Sequence, residues 1–175
     1  CAGIVLLLKN PELLQKRMDT KEEEPEQKKV IALSGIMFLF AFIIAGLNIR
    51  FDWVILPTWV SCAAAVIFLL AYILYAEVLR ENTYLSRTIK VQENQKVIDT
   101  GLYGIVRHPM YMATLFLFLA MPLVLGSIYS CFIQLFYIPI ILKRIKNEEQ
   151  VLEQGLAGYS EYKKKVKYKV IPFIW

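Results

Sequence analysis

Three long uncharged blocks alternate with strongly charged segments along this chain of 175 residues. The first two blocks, residues 30–47 and 55–76, approach or reach the roughly 20 apolar residues that a helix needs to cross a bilayer. The link between them, NIRFDWV, is short. The pattern therefore predicts two membrane-spanning helices that form an antiparallel hairpin.

The third block, residues 111–142, is too long for one ordinary span and short for two. Pro122 and Gly126 interrupt it, which predicts a tight hairpin whose second helix continues past the membrane surface. A single broken or re-entrant helix is the alternative. The chain begins with CAGIVLLL, which is too short to span and resembles the end of an upstream helix. We therefore expect an N-terminally truncated chain.

Composition supports a membrane protein, because 57% of the residues are hydrophobic, against about 45–50% in a soluble domain. The predicted fold is all-α: a multi-span integral membrane protein of two helical hairpins plus the end of an upstream helix. Residues 1–175 would form a single domain. The three cysteines have neither CxxC spacing nor a partner histidine, so a metal site is not expected.

The distribution of positive charge predicts an orientation in the membrane. Of the 20 Lys and Arg residues, all but Arg50 lie in residues 9–29, 77–110 and 143–175. Two antiparallel hairpins place these three segments on one face, which the positive-inside rule makes cytoplasmic. The net charge of +5 therefore indicates orientation and contact with lipids, and no nucleic-acid partner is expected. The three blocks contain no ionisable residue, which excludes most ion and proton transporters.

The only histidine, His108, lies between Arg107 and Pro109 in the stretch DTGLYGIVRHPMY. Proline favours the first position of a helix. Arg107 and His108 would then lie at a helix N-terminus, where free N–H groups and the helix dipole favour an anion such as a carboxylate. Tyr111, about one turn further on, can face the same site. Alternatively, Arg107 reaches lipid phosphates and His108 caps the helix.

A second candidate group lies in KRIKNEEQ, where Arg144 and Glu148 are four residues apart and share one helix face. A buried glutamate there can hold an ammonium, and the arginine can hold a carboxylate. An ordinary surface ion pair is the alternative. The tail YSEYKKKVKYKVIPFIW alternates lysines with apolar residues. It suits an anionic membrane surface or a short lid.

Residues 95–172 combine the motif G-x-Y-x-x-x-R-H-P-x-Y, an apolar hairpin and a paired glutamate. In this combination the chain resembles the isoprenylcysteine carboxyl methyltransferase family, integral-membrane enzymes related to the phospholipid N-methyltransferases. The resemblance implies that residues 95–172 are the catalytic half and bind S-adenosylmethionine. The implied cofactor-binding residues are Gln95, Lys96, Val97, Ile98, Tyr103, His108, Pro109, Met110, Tyr111 and Glu148.

The resemblance also implies that Arg144 binds the substrate and forms the catalytic group with His108 and Glu148. The helix N-terminus with His108 would hold the carboxylate of the cofactor, and Glu148 would hold its ammonium. The implied reaction is methyl transfer to a lipophilic acceptor at the cytoplasmic membrane interface, with an isoprenylcysteine-type carboxylate as the first choice. Neither a metal nor a nucleic acid takes part.

Three other functions remain open from the sequence. A phospholipid N-methyltransferase would act on an amine. An NADPH-dependent reductase of the sterol-reductase type is similar in its C-terminal half and carries an R-H-x-N-Y-like motif. A membrane scaffold would have no activity. The pair Pro109 and Met110 and the pair Glu148 and Glu149 favour the methyltransferase.

Overall fold

The structure is a computed structural model that describes residues 25–85, 89 and 91–175. Its helices are α1 (Pro25–Phe51), α2 (Thr58–Glu81), α3 (Pro109–Val124), α4 (Ile128–Gln134), α5 (Tyr137–Gly155) and α6 (Tyr159–Lys165), with a 3-10 helix at Gly101–Gly104. An isolated parallel bridge pairs Val106 with Tyr168. The described residues confirm the all-α prediction. The predicted upstream helix falls in residues 1–24, outside the described part of the chain.

Within the described residues, three helical stretches are long and apolar enough to cross a membrane: Lys28–Phe51, Thr58–Glu81 and Ile128–Gly155. Helix α3 is a shorter apolar helix. The first two stretches contain almost all of the blocks predicted at residues 30–47 and 55–76, and they extend further at their C-terminal ends. The third includes α4 and α5, and it runs on into the charged segment as predicted.

The chain divides into two compact units. The first, which we call the membrane unit, comprises Lys29–Tyr75 and Met110–Lys143. The second includes Ala76–Pro109 and Arg144–Trp175, and we call it the site unit. Of the predicted site residues, all except Met110 and Tyr111 belong to the site unit.

The third apolar block forms a helical turn inside the membrane unit. Gly126 has a φ of +73°, a backbone conformation that glycine adopts without strain. Ser127 then caps α4, because its hydroxyl accepts a hydrogen bond from the Ser130 N–H at 3.2 Å. The helix break therefore falls at residues 125–127. Pro122 does not itself end the helix, since α3 continues to Val124.

Aromatic rings and buried hydrogen bonds hold the membrane unit together. The ring of Phe118 packs edge-on against Phe38 and Tyr137, with centroids 4.5 and 4.8 Å apart. The Tyr137 hydroxyl donates to Thr114 Oγ1 at 3.1 Å. The Ser130 hydroxyl donates to the Ala41 carbonyl at 2.7 Å. In a segment surrounded by apolar groups, such pairs satisfy polar atoms that water cannot reach.

The 3-10 helix of the site unit is fixed to the end of α2. The Glu81 carboxylate accepts from the Leu102 N–H at 3.0 and 3.2 Å, and the Asn82 amide donates to the Tyr103 hydroxyl at 2.9 Å. Gly101 has a φ of +50°, and a Cβ there would lie 1.3 Å from Glu81 Oε1. Only glycine combines this backbone angle with so close a carboxylate.

The apolar core of the site unit lies on α6 and the chain on either side of it. It consists of buried Leu156, Tyr159, Tyr162 and Val166, against which Val91, Val97 and Leu152 pack. The Tyr162 hydroxyl donates to the Tyr103 carbonyl at 2.7 Å. This core therefore connects the C-terminal part of the chain to the turn that precedes the histidine.

Candidate active site

The residues just before α3 pair with a segment near the C-terminus, residues 166–170, which we call the C-terminal strap. The Arg107 N–H donates to the Tyr168 carbonyl at 2.9 Å, and the His108 N–H donates to the Lys169 carbonyl at 2.8 Å. Pro109 then begins α3, as its fixed φ favours. The strap forms one wall of the region around the histidine.

Arg107 is buried and bound on several sides. Its Nε donates to Glu149 Oε1 at 2.8 Å, and its Nη1 donates to the carbonyls of Val166 at 2.6 Å and Lys167 at 2.9 Å. The planar guanidinium suits several acceptors at fixed positions. The sequence predicted an anion at this position, and the Glu149 carboxylate of the chain itself is one such anion. The alternative in which Arg107 reaches lipid phosphates is wrong, because its side chain is only 4% exposed.

His108 lies between two carboxylates. Its Nε2 is 3.2 Å from Glu149 Oε1, and its Nδ1 is 3.9 Å from Glu148 Oε1. The two glutamates differ in burial: the side chain of Glu149 is 6% exposed and that of Glu148 is 29% exposed. Glu149 is therefore an internal partner of the histidine, whereas Glu148 has access to solvent or a ligand.

A lysine and a tyrosine complete the surroundings of Glu149. Lys163 Nζ lies 3.6 Å from Glu149 Oε2 and 2.6 Å from Glu153 Oε1. The Tyr159 hydroxyl is buried and has no hydrogen-bond partner among the described residues. Burial raises the pKa of the Tyr159 phenol, and the negative charges of Glu149 and Glu148 raise it further. The phenol is thus a neutral donor with no acceptor among the described residues, which makes it a candidate to bind a polar ligand.

The other predicted cofactor residues have varied positions in the site unit. Tyr103 is buried, Val97 packs on the core, and Ile98 is half-buried. Lys96 is exposed. Among the described residues, the hydrogen bonds of Gln95 go to Gln92: its amide oxygen accepts from the Gln92 N–H at 2.8 Å. Its clearest role in the structure is to close that turn.

The remaining predicted residues lie on α3 and α5. Met110 and Tyr111 are the second and third residues of α3 and are half-buried. Arg144 is half-buried on α5, one helical turn before Glu148, so the two side chains share a face. Within the described residues, no group of three His, Cys, Asp or Glu side chains is arranged to hold a metal ion.

A sequence model of the isoprenylcysteine carboxyl methyltransferase (ICMT) family matches residues 62–154. The chain belongs to the ICMT family. The matched residues include the R-H-P motif and both glutamates. They end before Tyr159, Lys163 and the C-terminal strap, which the structure brings close to Arg107, His108 and Glu149.

This ICMT-family chain is also similar to one other protein in sequence and to another in fold. It is 30% identical to Delta(14)-sterol reductase of Mus musculus over 91 residues, which are 50% of this chain and 22% of the reductase. Its fold matches a eukaryotic intramembrane Ras methyltransferase ICMT with a TM-score of 0.71 and 16% identity, covering 99% of this chain and 61% of that one. The chain thus spans less than two thirds of the length of either protein.

Glu149 is the residue whose importance the sequence alone did not reveal. On α5 it follows Ile141 and Ile145 at intervals of four, and all three are buried, at 5% exposure or less. A carboxylate on the apolar face of a helix needs a buried partner. The four-residue spacing of Glu149 from Ile145 and Ile141 was therefore the sequence pattern that could have identified it as buried. The partner, Arg107, lies more than 40 positions away in the sequence, which no local pattern specifies.

Proposed function

We propose that this ICMT-family protein transfers a methyl group from S-adenosylmethionine to a lipophilic carboxylate at the membrane surface. The observation that carries the proposal is the buried Arg107–Glu149–His108 cluster with a second, more exposed carboxylate, Glu148, beside it. The side chains suit the cofactor chemically. A carboxylate with access to a ligand suits an ammonium, and the buried Tyr159 hydroxyl offers an unused hydrogen bond.

The roles of the side chains follow from their chemistry and burial. Glu148 binds the ammonium of the cofactor, and the Tyr159 hydroxyl donates a hydrogen bond to an acceptor atom of the cofactor, such as an oxygen of its carboxylate. Arg144, one turn before Glu148 on α5, binds the carboxylate of the acceptor, for which a guanidinium provides paired donors. Arg107 and Glu149 are held too tightly by their own partners to bind a ligand. Their role is to hold the neighbouring site residues in position.

When bound, S-adenosylmethionine supplies an electrophilic methyl group on a sulfonium. A carboxylate acceptor is already a nucleophile at neutral pH, so the protein needs no general base for this reaction. The contribution of the chain is to hold the acceptor oxygen in line and to exclude water. Because the reaction requires no proton transfer, His108 does not need to act as a base. Its fixed position between two carboxylates agrees with this.

The charge distribution supports a cytoplasmic site. Of the basic residues that follow α1, all but Lys143 belong to the site unit, whereas Arg50 lies in the last turn of α1, in the membrane unit. We infer that the site unit faces the cytoplasm and that the acceptor reaches it from the bilayer. An isoprenylcysteine is the first candidate acceptor, because the ICMT family is named for that substrate.

A reductase is the second candidate, since the similarity to Delta(14)-sterol reductase covers half of the chain at 30% identity. In that case the site would bind a nicotinamide cofactor and deliver a hydride to an apolar substrate. The two candidates differ in the charge of the cofactor: S-adenosylmethionine presents an ammonium and a sulfonium, whereas NADPH presents phosphates. A site in which the more exposed Glu148 carboxylate faces the ligand favours the cationic cofactor.

The reaction type is tested by methyl transfer from S-[methyl-³H]adenosylmethionine to a prenylated cysteine in detergent micelles. A carboxyl methyl ester releases volatile methanol in base, whereas an N-methyl product does not. We expect base-labile label, and we expect Arg144→Ala to raise the KM of the acceptor while leaving cofactor affinity unchanged. Arg144→Lys should recover only part of the activity, because lysine lacks the planar fork. Base-stable label would indicate an amine acceptor, and no label at all with any acceptor would contradict the proposal.

A further inference from the structure

The chain closes into a small loop directly after the C-terminal strap, at residues 171–175, which we call the C-terminal hook. The Ile171 N–H donates to the main-chain oxygen of Trp175 at 2.9 Å, and the Trp175 N–H donates to the Ile171 carbonyl at 3.0 Å. The hook therefore has hydrogen bonds of its own and a defined shape. Its apolar tip consists of Phe173 and Ile174, whose exposed fractions are 84% and 78%.

The backbone holds this tip outward. Phe173 has a φ of +65°, a left-handed conformation that strains any residue with a Cβ. Its ring packs against Tyr168 of the strap, with centroids 5.4 Å apart, and the rest of the side chain is open. A strained residue that the surrounding structure keeps in place is a candidate for a binding role. An exposed apolar tip indicates that its partner is itself apolar.

The strap joins the hook to the start of an apolar helix. The carbonyls of Tyr168 and Lys169 accept hydrogen bonds from the two N–H groups that precede Pro109, with which α3 begins. Residues 109–124 contain no charged side chain. The point at which a charged segment gives way to such a helix is where the chain leaves water for the bilayer. The strap therefore lies beside the residues at which the chain enters the membrane.

The segment before the hook carries a strong positive charge, since five lysines occur within seven residues there. Lys163 and Lys165 pair with carboxylates at 2.6 and 2.7 Å. The two strap lysines are Lys167, which is exposed, and Lys169, whose Nζ lies 5.3 Å from the centroid of the Trp175 ring. Lysines beside an aromatic, apolar tip are the combination that binds the surface of an anionic membrane.

We propose that the C-terminal hook docks on an anionic lipid surface, with its apolar tip among the acyl chains and the strap lysines at the phosphates. The sequence left two roles open for this tail, a membrane contact or a short lid. The structure favours the membrane, because a lid has to move and the strap is hydrogen-bonded to the chain just before α3. The inference goes beyond the proposed function and does not depend on the cofactor.

The depth of the hook is measured on the full chain in lipid nanodiscs. In a cysteine-free background, Phe173→Cys carries an environment-sensitive fluorophore, and lipids with a doxyl group just below the headgroup quench it. Glu93→Cys is the matched control, since Glu93 is an exposed turn residue of the same site unit. In discs that contain phosphatidylglycerol, we expect strong quenching at position 173 and little at position 93. Equal quenching at both positions would overturn the proposal, and Ile174→Cys tests it again if Phe173→Cys does not fold.

The strap lysines predict a dependence on lipid charge. Lys167→Gln and Lys169→Gln should each lower the ratio of quenched to unquenched label by roughly fivefold in discs that contain phosphatidylglycerol. In discs of phosphatidylcholine alone, neither variant should change the ratio. Lys146→Gln is the control, because it removes an exposed lysine from α5 of the same unit, and it should have no effect. Quenching that is equal in the two lipids, or that Lys146→Gln lowers as much, would overturn docking on anionic lipid.

The same label distinguishes two other occupants. If the hook were a lid, its fluorescence would respond to an added prenylated cysteine and not to the doxyl lipid. If the hook bound a second copy of the chain, its fluorescence would change with the number of chains in a disc. Either result would overturn the proposal. None of these measurements needs a cofactor, so their outcome is independent of whether the protein binds S-adenosylmethionine.

Discussion

Arg107→Ala removes the most highly connected side chain of the site. The arginine is 6% exposed and contacts Glu149, Val166 and Lys167. Its deletion leaves the buried Glu149 carboxylate with His108 at 3.2 Å and Lys163 at 3.6 Å as its charged partners. It also removes a donor from each of two carbonyls in the C-terminal strap.

The cost follows from these losses. Removing one partner of a buried ion pair typically destabilises a protein by about 3–5 kcal/mol. Carbonyls that lose a donor in a buried position add to this cost, although not additively. We therefore expect Arg107→Ala to lower the free energy of unfolding by about 4 kcal/mol. Arg107→Lys should cost roughly half as much, because lysine keeps the charge but cannot reach all three acceptors at once.

Arg80→Ala is the matched control. Arg80 also binds a glutamate through Nε, at 2.8 Å from Glu77, but its side chain is 74% exposed. An exposed ion pair contributes little to stability. Unfolding of both variants is followed by circular dichroism as SDS replaces a mild detergent in mixed micelles. If the midpoint of Arg107→Ala matched that of Arg80→Ala, the buried cluster would have no structural role.

Three further predictions follow from the fold and the site. Gly101→Ala should destabilise the protein by about 1–2 kcal/mol, and by more than Gly126→Ala. A Cβ at position 101 would meet the Glu81 carboxylate, whereas a Cβ at position 126 would meet open space. Equal unfolding midpoints of the two variants in mixed micelles would argue against the contact with Glu81. Tyr159→Phe should raise stability by about 1 kcal/mol, since it removes a buried hydroxyl that has no hydrogen-bond partner within the described part of the chain. It should also weaken S-adenosylhomocysteine binding, and unchanged affinity would remove Tyr159 from the ligand site. In intact cells and a cysteine-free background, Arg50→Cys should react with an impermeant thiol reagent and Lys164→Cys should not, and the reverse pattern would contradict a cytoplasmic site unit.

The membrane helices could be predicted because their signal is local. Residues 30–47 and 55–76 are continuous apolar blocks, and block length alone predicts a span. The turn at Gly126 was visible for the same reason, since a glycine inside an apolar block indicates a break. The exact end of α3 was not visible, because Pro122 lies close enough to the end of the helix for two more residues to follow it.

The site could be predicted only in part, because its contacts join distant segments. The position of His108 before a helix follows from Pro109, and its proximity to Glu148 was expected from the family resemblance. The pairing of Arg107 with Glu149 and with the strap joins residues separated by more than 40 positions. Glu149 was not predicted as a site residue, although its spacing from Ile141 and Ile145 places it on the apolar face of α5, and no local pattern identifies the cation that compensates it. Tyr159 could not be predicted either, since no local pattern shows that its hydroxyl would be buried with no hydrogen-bond partner among the residues that the structure describes.

The central claim is that the site binds S-adenosylmethionine, and calorimetry on the purified protein in detergent tests it directly. We expect S-adenosylmethionine and S-adenosylhomocysteine to bind at one site per chain, and we expect Glu148→Gln to weaken both because it removes the charge that faces the ammonium. NADPH should give no saturable heat. Saturable binding of NADPH, with no response to either S-adenosyl compound, would contradict the methyltransferase and identify the protein as a reductase.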